Sequence, residues 1–585
     1  MSRRAANTVW AASFVDELAR AGVHDVVLAP GSRSTPLVLA FARDGRFHMR
    51  VHLDERSAAF FALGMGKASG RPAVVVTTSG TAAANLLPAV VEAAQSEVPL
   101  LVLTADRPHR LRGQDANQAI DQVRLFGTYP NAFHEVAPPS LSGPELRHLR
   151  ALACRAVADA LGPAAGPVHL NFPFDKPLEP GDVEEDATPD DAVAVRGRPD
   201  GAPFVDVRSA RGTPDEEELE RLAGALGSER GVIVAGPCAE PEVVGPAARA
   251  LPAATGFPLL ADPLSGARFG PADGARVVVG YDLFLREEAA LEALAPSVVL
   301  RVGASPTSAA LLSWMARHRD ARQIVLDAGG RWKDHAGTAD VYVRAHPGPT
   351  LRALATRTSR SASEDWTARW RRAEEATLKA LDASTGAPHE GEVWEGVFSA
   401  LAGAGTLFVS NSMPVRDLDA FAQPCEARVL VAGNRGASGI DGVVSSAFGV
   451  AAKRDGPTVC VLGDLAFFHD QNGLLWKREK DATVVFVLID NDGGGIFHML
   501  PVAAHEPHFT PLVATPHGLD LSHAAEMQGI PFRDVPIPEV GEALTAALDA
   551  NKTSVLRVRT DREANHRRRT EIVEAVRRSV RDALG

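Results

Sequence analysis

A chain of 585 residues is too long for one hydrophobic core and should divide into about three or four domains. Its 45% hydrophobic and 23% charged content is that of a water-facing globular protein, and no apolar run is long enough to span a bilayer. The net charge of −12 argues against nucleic acid or an anionic membrane as the main partner.

Trp10, Phe14, Leu18 and Ala21 recur at helical spacing, and Asp16 and Glu17 interrupt what would have to be the apolar core of a signal segment, so an amphipathic first helix is expected. Cys154, Cys238, Cys425 and Cys460 are widely separated and form no metal-ligand spacing. Free thiols in a reducing, cytoplasmic compartment follow as the expectation.

Residues 1–182 read as the first domain. Apolar runs at 24–29, 73–77, 100–104 and 168–172 each precede a polar turn and a helical stretch, the pattern of a mostly parallel, doubly wound α/β sheet. In the turn Gly31-Ser32-Arg33-Ser34-Thr35-Pro36, Thr35 suits a helix N-cap and Pro36 the first helical position, which leaves Arg33 unexplained. Leu53-Asp54-Glu55-Arg56 follows a short strand and opens a helix whose apolar face is Ala58, Phe61, Ala62 and Met65. Asp54 and Glu55 can be a cap and a dipole-favouring acid; Glu55 can also be a functional carboxylate. Gly64, Gly66 and Gly70 fall inside that helix with the wrong spacing for a dinucleotide fingerprint, so they read as packing and termination glycines.

Residues 183–213 are rich in Asp, Glu, Gly, Pro and Arg without periodicity and read as a solvated linker. Residues 214–350 read as a middle α/β domain with strands near 231–235, 298–302 and 323–326. Residues 351–585 read as a third domain, with helices from about 364, strands at 407–409, 429–431, 458–462, 484–489 and 555–558, and a basic amphipathic helix with a solvated face around Arg567, Arg568 and Arg569. The first and third domains look like one architecture used twice.

The third domain carries the most chemistry. The runs ending at Asp464 and before Asn491 flank a crossover, which places a carboxylate and an amide oxygen at neighbouring strand ends. That pair suits a hard cation such as Mg²⁺, and the glycines at 493–495 allow close backbone approach. A capped turn followed by an Asp-Gly turn gives the same letters. Ser410 to Arg416 opens a helix where phosphate oxygens bind readily. In Asn434 to Gly442, Ile440 is a lone apolar residue among turn formers, which suggests packing on a ligand. Arg33, Arg107, Arg416 and Arg435 all lie in strand-end loops; each alone reads as a surface arginine, and together they suggest a substrate with several carboxylates.

The Gly-Asp, helix, Asn pattern at 463–491 resembles the thiamin diphosphate (ThDP) enzymes. Gly-Ser-Arg-Ser-Thr-Pro at 31–36, Thr-Ser-Gly-Thr at 78–81, Thr-Ala-Asp-Arg-Pro at 104–108, Ala-Asn-Gln-Ala at 116–119 and the 434–442 string narrow the resemblance to the 2-succinyl-5-enolpyruvyl-6-hydroxy-3-cyclohexene-1-carboxylate (SEPHCHC) synthase family of menaquinone biosynthesis. The resemblance implies a pyrimidine-binding first domain and a diphosphate-binding third domain. It also implies a transferase that decarboxylates 2-oxoglutarate and adds the carbon unit to isochorismate. It makes Glu55 the cofactor-activating carboxylate and Ile440 the wedge under the bent cofactor, with Ser79, Ser412 and Gly463 also at the cofactor. Asp464, Asn491 and the Gly493 carbonyl become ligands of Mg²⁺, for which Mn²⁺ can stand in. Ser32, Arg33, Arg107, Asn117 and Gln118 fall around isochorismate, and Arg416 and Arg435 become catalytic carboxylate clamps. The assembly implied is at least a homodimer, with Glu55 and Asp464 of one site on different subunits. The turn 304–310 departs from the family, having Ala309 and Ala310 where a basic residue is usual. The alternatives are another ThDP-dependent 2-oxoacid decarboxylase or carboligase such as acetohydroxyacid synthase, and, in a different class, a nucleotide-binding dehydrogenase or non-catalytic binding protein.

Overall fold

The computed structural model describes residues 3–181, 191–210, 212–271, 276–329, 331–401 and 403–585. Of the expected linker, residues 183–190 and 211 lie outside the described residues. The described residues form three six-stranded parallel sheets and two compact units, one of residues 1–210, 434–454 and 470–482, the other of 211–433, 455–469 and 483–585.

The first unit holds β1 (Asp25–Leu28), β2 (His48–Val51), β3 (Ala73–Thr77), β4 (Leu100–Asp106), β5 (Ala132–Glu135) and β6 (Pro167–Pro173), ordered 2-1-3-4-6-5. Val26, Val74, Val76, Leu101, Leu103 and Leu170 face a core closed by Trp10, Phe14 and Leu18 of the first helix, Arg3–Arg20. The aperiodic stretch after residue 190 is not wholly solvated as expected: Ala192–Arg196 is a short helix capped by Asp191, and its Ala194 is buried in this core.

The helix Glu55–Ser69 packs on the helix Val443–Ala451 through glycine. A Cβ on Gly64 would lie 2.2 Å from the Ser446 carbonyl oxygen and 3.0 Å from Gly449 Cα, so the two backbones can meet only if Gly64 has no side chain. Gly70 ends the helix in the left-handed region, its N–H bonded to the Gly66 carbonyl. The packing and termination reading of these glycines is therefore correct. Gly64→Ala, which at an unhindered helix position would stabilise by about 1 kcal/mol, should here destabilise by roughly 1–3 kcal/mol; urea or thermal unfolding reads the sign.

The second unit holds two sheets. β7 (Gly231–Ala235), β8 (Leu259–Ala261), β9 (Val277–Val278), β10 (Val298–Val302), β11 (Arg322–Asp327) and β12 (Val341–Arg344) are ordered 12-11-10-7-8-9. Trp314, Trp366, Trp370 and Tyr281 fill the core beside them, so the helices Pro347–Arg357 and Glu364–Asp382 pack on the middle sheet even though the sequence places the latter in the third domain. β13 (Ala404–Val409), β14 (Arg428–Ala432), β15 (Thr458–Gly463), β16 (Val485–Asp490), β17 (Phe532–Asp534) and β18 (Ser554–Arg559) are ordered 14-13-15-16-18-17, the strand order of the first sheet repeated. The middle sheet does not share it.

The terminal helix Arg562–Leu584 corrects one expectation. Its basic cluster is not all solvated: Arg569 is buried and ion-paired with Asp417, while Val576 and Val580 join the middle core. None of the four cysteines is in a disulfide; Cys154 and Cys460 are buried, and Cys238 and Cys425 partly so. No described helix is long and apolar enough to cross a membrane.

Candidate active site

Open parallel sheets bind ligands beyond their strands' carboxyl ends, where the strand order reverses. In the first sheet that point lies between β1 and β3. A Cβ on Gly31 would lie 2.2 Å from Thr78 Cβ, and the Arg33 N–H donates to Thr78 Oγ1 at 3.3 Å, so the two loops are locked together. Ser34, not Thr35, takes the N-cap position; Thr35 is the first helical residue and donates its hydroxyl to the Ser32 carbonyl at 2.7 Å, which turns the chain helical one residue early.

The loop after β4 joins them. Ser79 Oγ donates to the Gln118 carbonyl at 2.9 Å, and Gln118 Nε2 returns a bond to the Ser79 carbonyl at 2.8 Å. Arg107 donates to the Asn117 carbonyl through Nε at 3.0 Å and Nη2 at 2.7 Å. Ser32, Arg33, Ser79, Arg107, Asn117 and Gln118 thus share one end of one sheet. Arg33 is buried, with Nη1 bonded to the Phe174 carbonyl at 2.8 Å. Burial first, and the Arg107 charge second, pull its guanidinium below the ordinary range. An anion bound here would offset that cost.

Glu55 begins its helix, and the cap is made by its neighbour. One Asp54 carboxylate oxygen accepts the N–H groups of Arg56 and Ser57 at 2.9 and 3.3 Å, and the other accepts Asn472 Nδ2 at 2.9 Å. His52 Nδ1 accepts the Asp54 N–H at 3.1 Å, and its Nε2 lies 3.2 Å from the Asn472 carbonyl. Trp476 stacks on Phe61 of the same helix with centroids 3.9 Å apart. Asp54 does the capping, which leaves the Glu55 carboxylate, half-buried and 3.4 Å from Asn85 Nδ2, available for other work.

Asp470 ties this helix start to the next one, accepting the Ser445 N–H at 2.7 Å and the Ser57 hydroxyl at 3.3 Å. Burial pushes its carboxyl up to about 6 against those bonds. A carboxyl whose folded pKa exceeds the unfolded 3.8 loses stability as pH rises from about 4 through about 6, by up to about 3 kcal/mol. In Asp470→Asn that part of the pH dependence of unfolding should flatten; calorimetric melts from pH 4 to 8 check it.

In the same unit, the loop carrying Arg435 and Ile440 is held by Glu92, buried, whose two carboxylate oxygens accept the N–H groups of Gly436 and Ala437 at 2.9 and 2.7 Å. Gly442, at φ +63°, closes the loop where a Cβ would lie 1.9 Å from the Phe60 ring.

The third sheet repeats the reversal between β13 and β15. Ser412 sits at φ +68°, a conformation that non-glycine residues adopt at a cost, and its side chain makes no capping bond to the helix Met413–Phe421 that it opens. In the first turn of that helix Pro414 has no N–H and the Val415 N–H donates to the Ser410 carbonyl at 3.2 Å. Arg416, one turn on, donates Nη1 to the Ser412 carbonyl at 2.7 Å.

Across the reversal, Asp464 is 2% exposed and accepts the Gly493 N–H at 2.9 Å and the Leu465 N–H. Burial raises its pKa, and those two bonds oppose the rise. A Cβ on Gly493, at φ +136°, would lie 2.4 Å from the Ala514 carbonyl oxygen. Asn491 donates Nδ2 to Glu390 Oε1 at 3.0 Å, while its Oδ1 is buried without a hydrogen-bond partner. A carboxylate, an orphaned amide oxygen and a glycine carbonyl form a hard donor set that fits a divalent cation. His517 Nε2 lies 3.3 Å from Asp464 Oδ2, and Asp464, Asp490 and His517 offer ligand atoms within 4.8 Å of one another. Sequence reasoning missed Glu390 and His517, neither of which stands in a motif.

The departing turn in the middle sheet is braced by acidic groups. Ser308 caps the helix Ala309–Arg317 and donates its hydroxyl to Asp282 at 2.7 Å, and Asp262 accepts the Thr307 N–H at 2.7 Å. His335 reaches the turn, its Nδ1 3.3 Å from Ser305 Oγ, and Lys333 in the same segment is bonded to Asp327 at 2.7 Å.

Two family models match the chain. The family model for the N-terminal TPP binding domain of thiamine pyrophosphate enzymes matches residues 9–125, and that for the C-terminal TPP binding domain matches 423–558. The chain is 48% identical over 579 residues to the 2-succinyl-5-enolpyruvyl-6-hydroxy-3-cyclohexene-1-carboxylate synthase of Halobacterium salinarum, covering 97% of this chain and 98% of the relative. Proteins of the same name from Roseiflexus castenholzii and Geobacillus thermodenitrificans are each 44% identical, covering 98% and 95% of this chain and 99% and 94% of theirs. Identity at this level along nearly the whole length of each chain, in a molecule that repeats one sheet order around two loop clusters, places the protein in the SEPHCHC synthase family of thiamin diphosphate enzymes.

Proposed function

We propose that this protein catalyses the ThDP-dependent decarboxylation of 2-oxoglutarate and the 1,4-addition of the resulting carbon unit to isochorismate, releasing CO₂ and giving SEPHCHC for menaquinone synthesis. The observation that carries the reading is the pair of equivalent switch points: the first bears Arg33 and Arg107, the second the buried Asp464 beside the orphaned Asn491 Oδ1.

When bound, ThDP supplies a nucleophilic carbon and an electron sink for decarboxylation. The protein's own residues do the rest. Glu55 would hold and release a proton where the aminopyrimidine end of the cofactor binds. Ser412 would hold the diphosphate, and Ser79, Gly463 and Ile440 would contact the cofactor. Asp464, Asn491 and the Gly493 carbonyl hold Mg²⁺, which Mn²⁺ can replace. Arg416 and Arg435 each offer a guanidinium fork to the carboxylates of the 2-oxoglutarate-derived unit and its neighbour. Ser32, Arg33, Arg107, Asn117 and Gln118 receive isochorismate. The working form is a cytoplasmic homodimer or larger assembly with a pyrimidine-binding first domain, a middle α/β domain and a diphosphate-binding third domain.

Incubation with both substrates, ThDP and Mg²⁺ should release CO₂ and consume isochorismate together. Unchanged isochorismate would overturn the assignment. Turnover of pyruvate in preference to 2-oxoglutarate would favour an acetohydroxyacid-synthase-like carboligase, against which the several arginines argue.

A further inference from the structure

The amide of Asn491 has two unlike ends. Its oxygen can ligate a hard cation and its NH₂ cannot, and a half-turn about the last side-chain bond exchanges them. Something must select the productive end.

Glu390 is placed to do so. It is 1% exposed on the short turn Glu390–Glu392, and its N–H donates to Asn565 Oδ1 of the terminal helix at 3.0 Å, which fixes the turn. Its Oε1 accepts two bonds, from Asn491 Nδ2 at 3.0 Å and from Thr560 Oγ1 at 2.7 Å. An inverted amide would set Asn491 Oδ1 against that same acceptor, oxygen facing oxygen, and would leave the NH₂ buried without a partner. That arrangement loses the bond from Asn491 Nδ2 and sets two oxygens against each other in its place. The loop backbone is held separately, by Arg562 Nη1, which donates to the carbonyls of Asn491 and Asp492 at 3.2 and 2.8 Å, so Glu390 is not needed to hold the chain there.

We propose that Glu390 is a positioning residue for the divalent cation, acting through Asn491 by fixing its amide so that Oδ1 is the end presented to the metal. The inference rests on the reading that Asn491 is a ligand.

The test is the affinity of the full-length protein for Mg²⁺ in the presence of ThDP, by calorimetry, with Mn²⁺ paramagnetic resonance as a second readout of the coordination sphere. Glu390→Gln keeps the shape but can donate as well as accept, so it permits both amide orientations. It should weaken Mg²⁺ binding by about 10-fold or more, in the range for groups that orient metal ligands, with little change in unfolding temperature. In the exchange Glu390→Gln/Asn491→Asp, the ligand presents oxygen at either end, and the amide introduced at position 390 can donate to it. Affinity should return towards wild type.

Affinity within twofold of wild type in Glu390→Gln would overturn the proposal, and so would a weakened single variant that the double variant fails to restore, because that pattern marks a merely structural role. If Glu390→Gln does not fold, Thr560→Val is used. Loss of that hydroxyl removes one of the two bonds that orient the Oε1 acceptor, and Mg²⁺ affinity should fall by a smaller factor; no fall would overturn the proposal. Asn491→Ala separates the two levels: unchanged Mg²⁺ affinity there defeats the ligand reading itself.

Discussion

Glu55→Gln should leave ThDP and Mg²⁺ bound at near wild-type affinity and lower turnover by about 10²–10⁴-fold, the usual range for removing a positioned acid or base. The substitution keeps the shape of the side chain and removes only its ability to carry and release a proton. It does not touch the helix cap, because Asp54 accepts the N–H groups of Arg56 and Ser57, and Asn472 and His52 hold Asp54 from the other side. It does not touch the close packing at Gly64 either. Folding and kcat are therefore separable at this position. Isothermal titration with ThDP and steady-state turnover on 2-oxoglutarate plus isochorismate check it; a kcat within tenfold of wild type would remove Glu55 from the chemistry.

Much of the fold is legible in the sequence because central parallel strands are buried on both faces and read as unbroken β-branched runs. The run expected at 73–77 is β3 to the residue, and those expected at 231–235 and 298–302 are β7 and β10. The strands left unread are mostly at sheet edges, where one side lacks a neighbour and polar residues intrude. β5 carries His134 and Glu135, β17 carries Arg533 and Asp534, and β9 and β12 close the two ends of the middle sheet. The helix Glu364–Asp382 is legible too, but an apolar stripe does not say which sheet will cover it, and Trp366 and Trp370 select the middle one.

The site divides in the same way. Arg33, Glu55, Asp464 and Asn491 stand in strand-end motifs and are visible in the letters. Glu390 and His517 meet Asn491 and Asp464 only through tertiary packing and carry no local signal. Arg569 reads as part of a solvated basic face because its partner, Asp417, lies far away in sequence.

Asp464→Ala should abolish the dependence of ThDP binding on Mg²⁺, weakening cofactor binding by about 100-fold or more, or roughly 2.7 kcal/mol. The carboxylate is the one ionised donor in the proposed ligand set, and without it an amide and a carbonyl oxygen must hold a strongly hydrated ion by themselves. The change also leaves the N–H groups of Gly493 and Leu465 without their acceptor, which opposes folding, while removing a carboxyl whose burial raises its pKa, which favours it. Because these effects oppose each other, the melting temperature without ligand is a poor readout and its shift on adding ThDP and Mg²⁺ is the right one. A ligand that binds only the native state raises that temperature by mass action. Wild type and Glu55→Gln should both show the rise, and Asp464→Ala should show none at the same ligand concentrations. An equal rise in Asp464→Ala would place the metal elsewhere. A rise absent from both variants would mean that Glu55 holds the cofactor as well as activating it, so the two substitutions together separate holding the cofactor from using it.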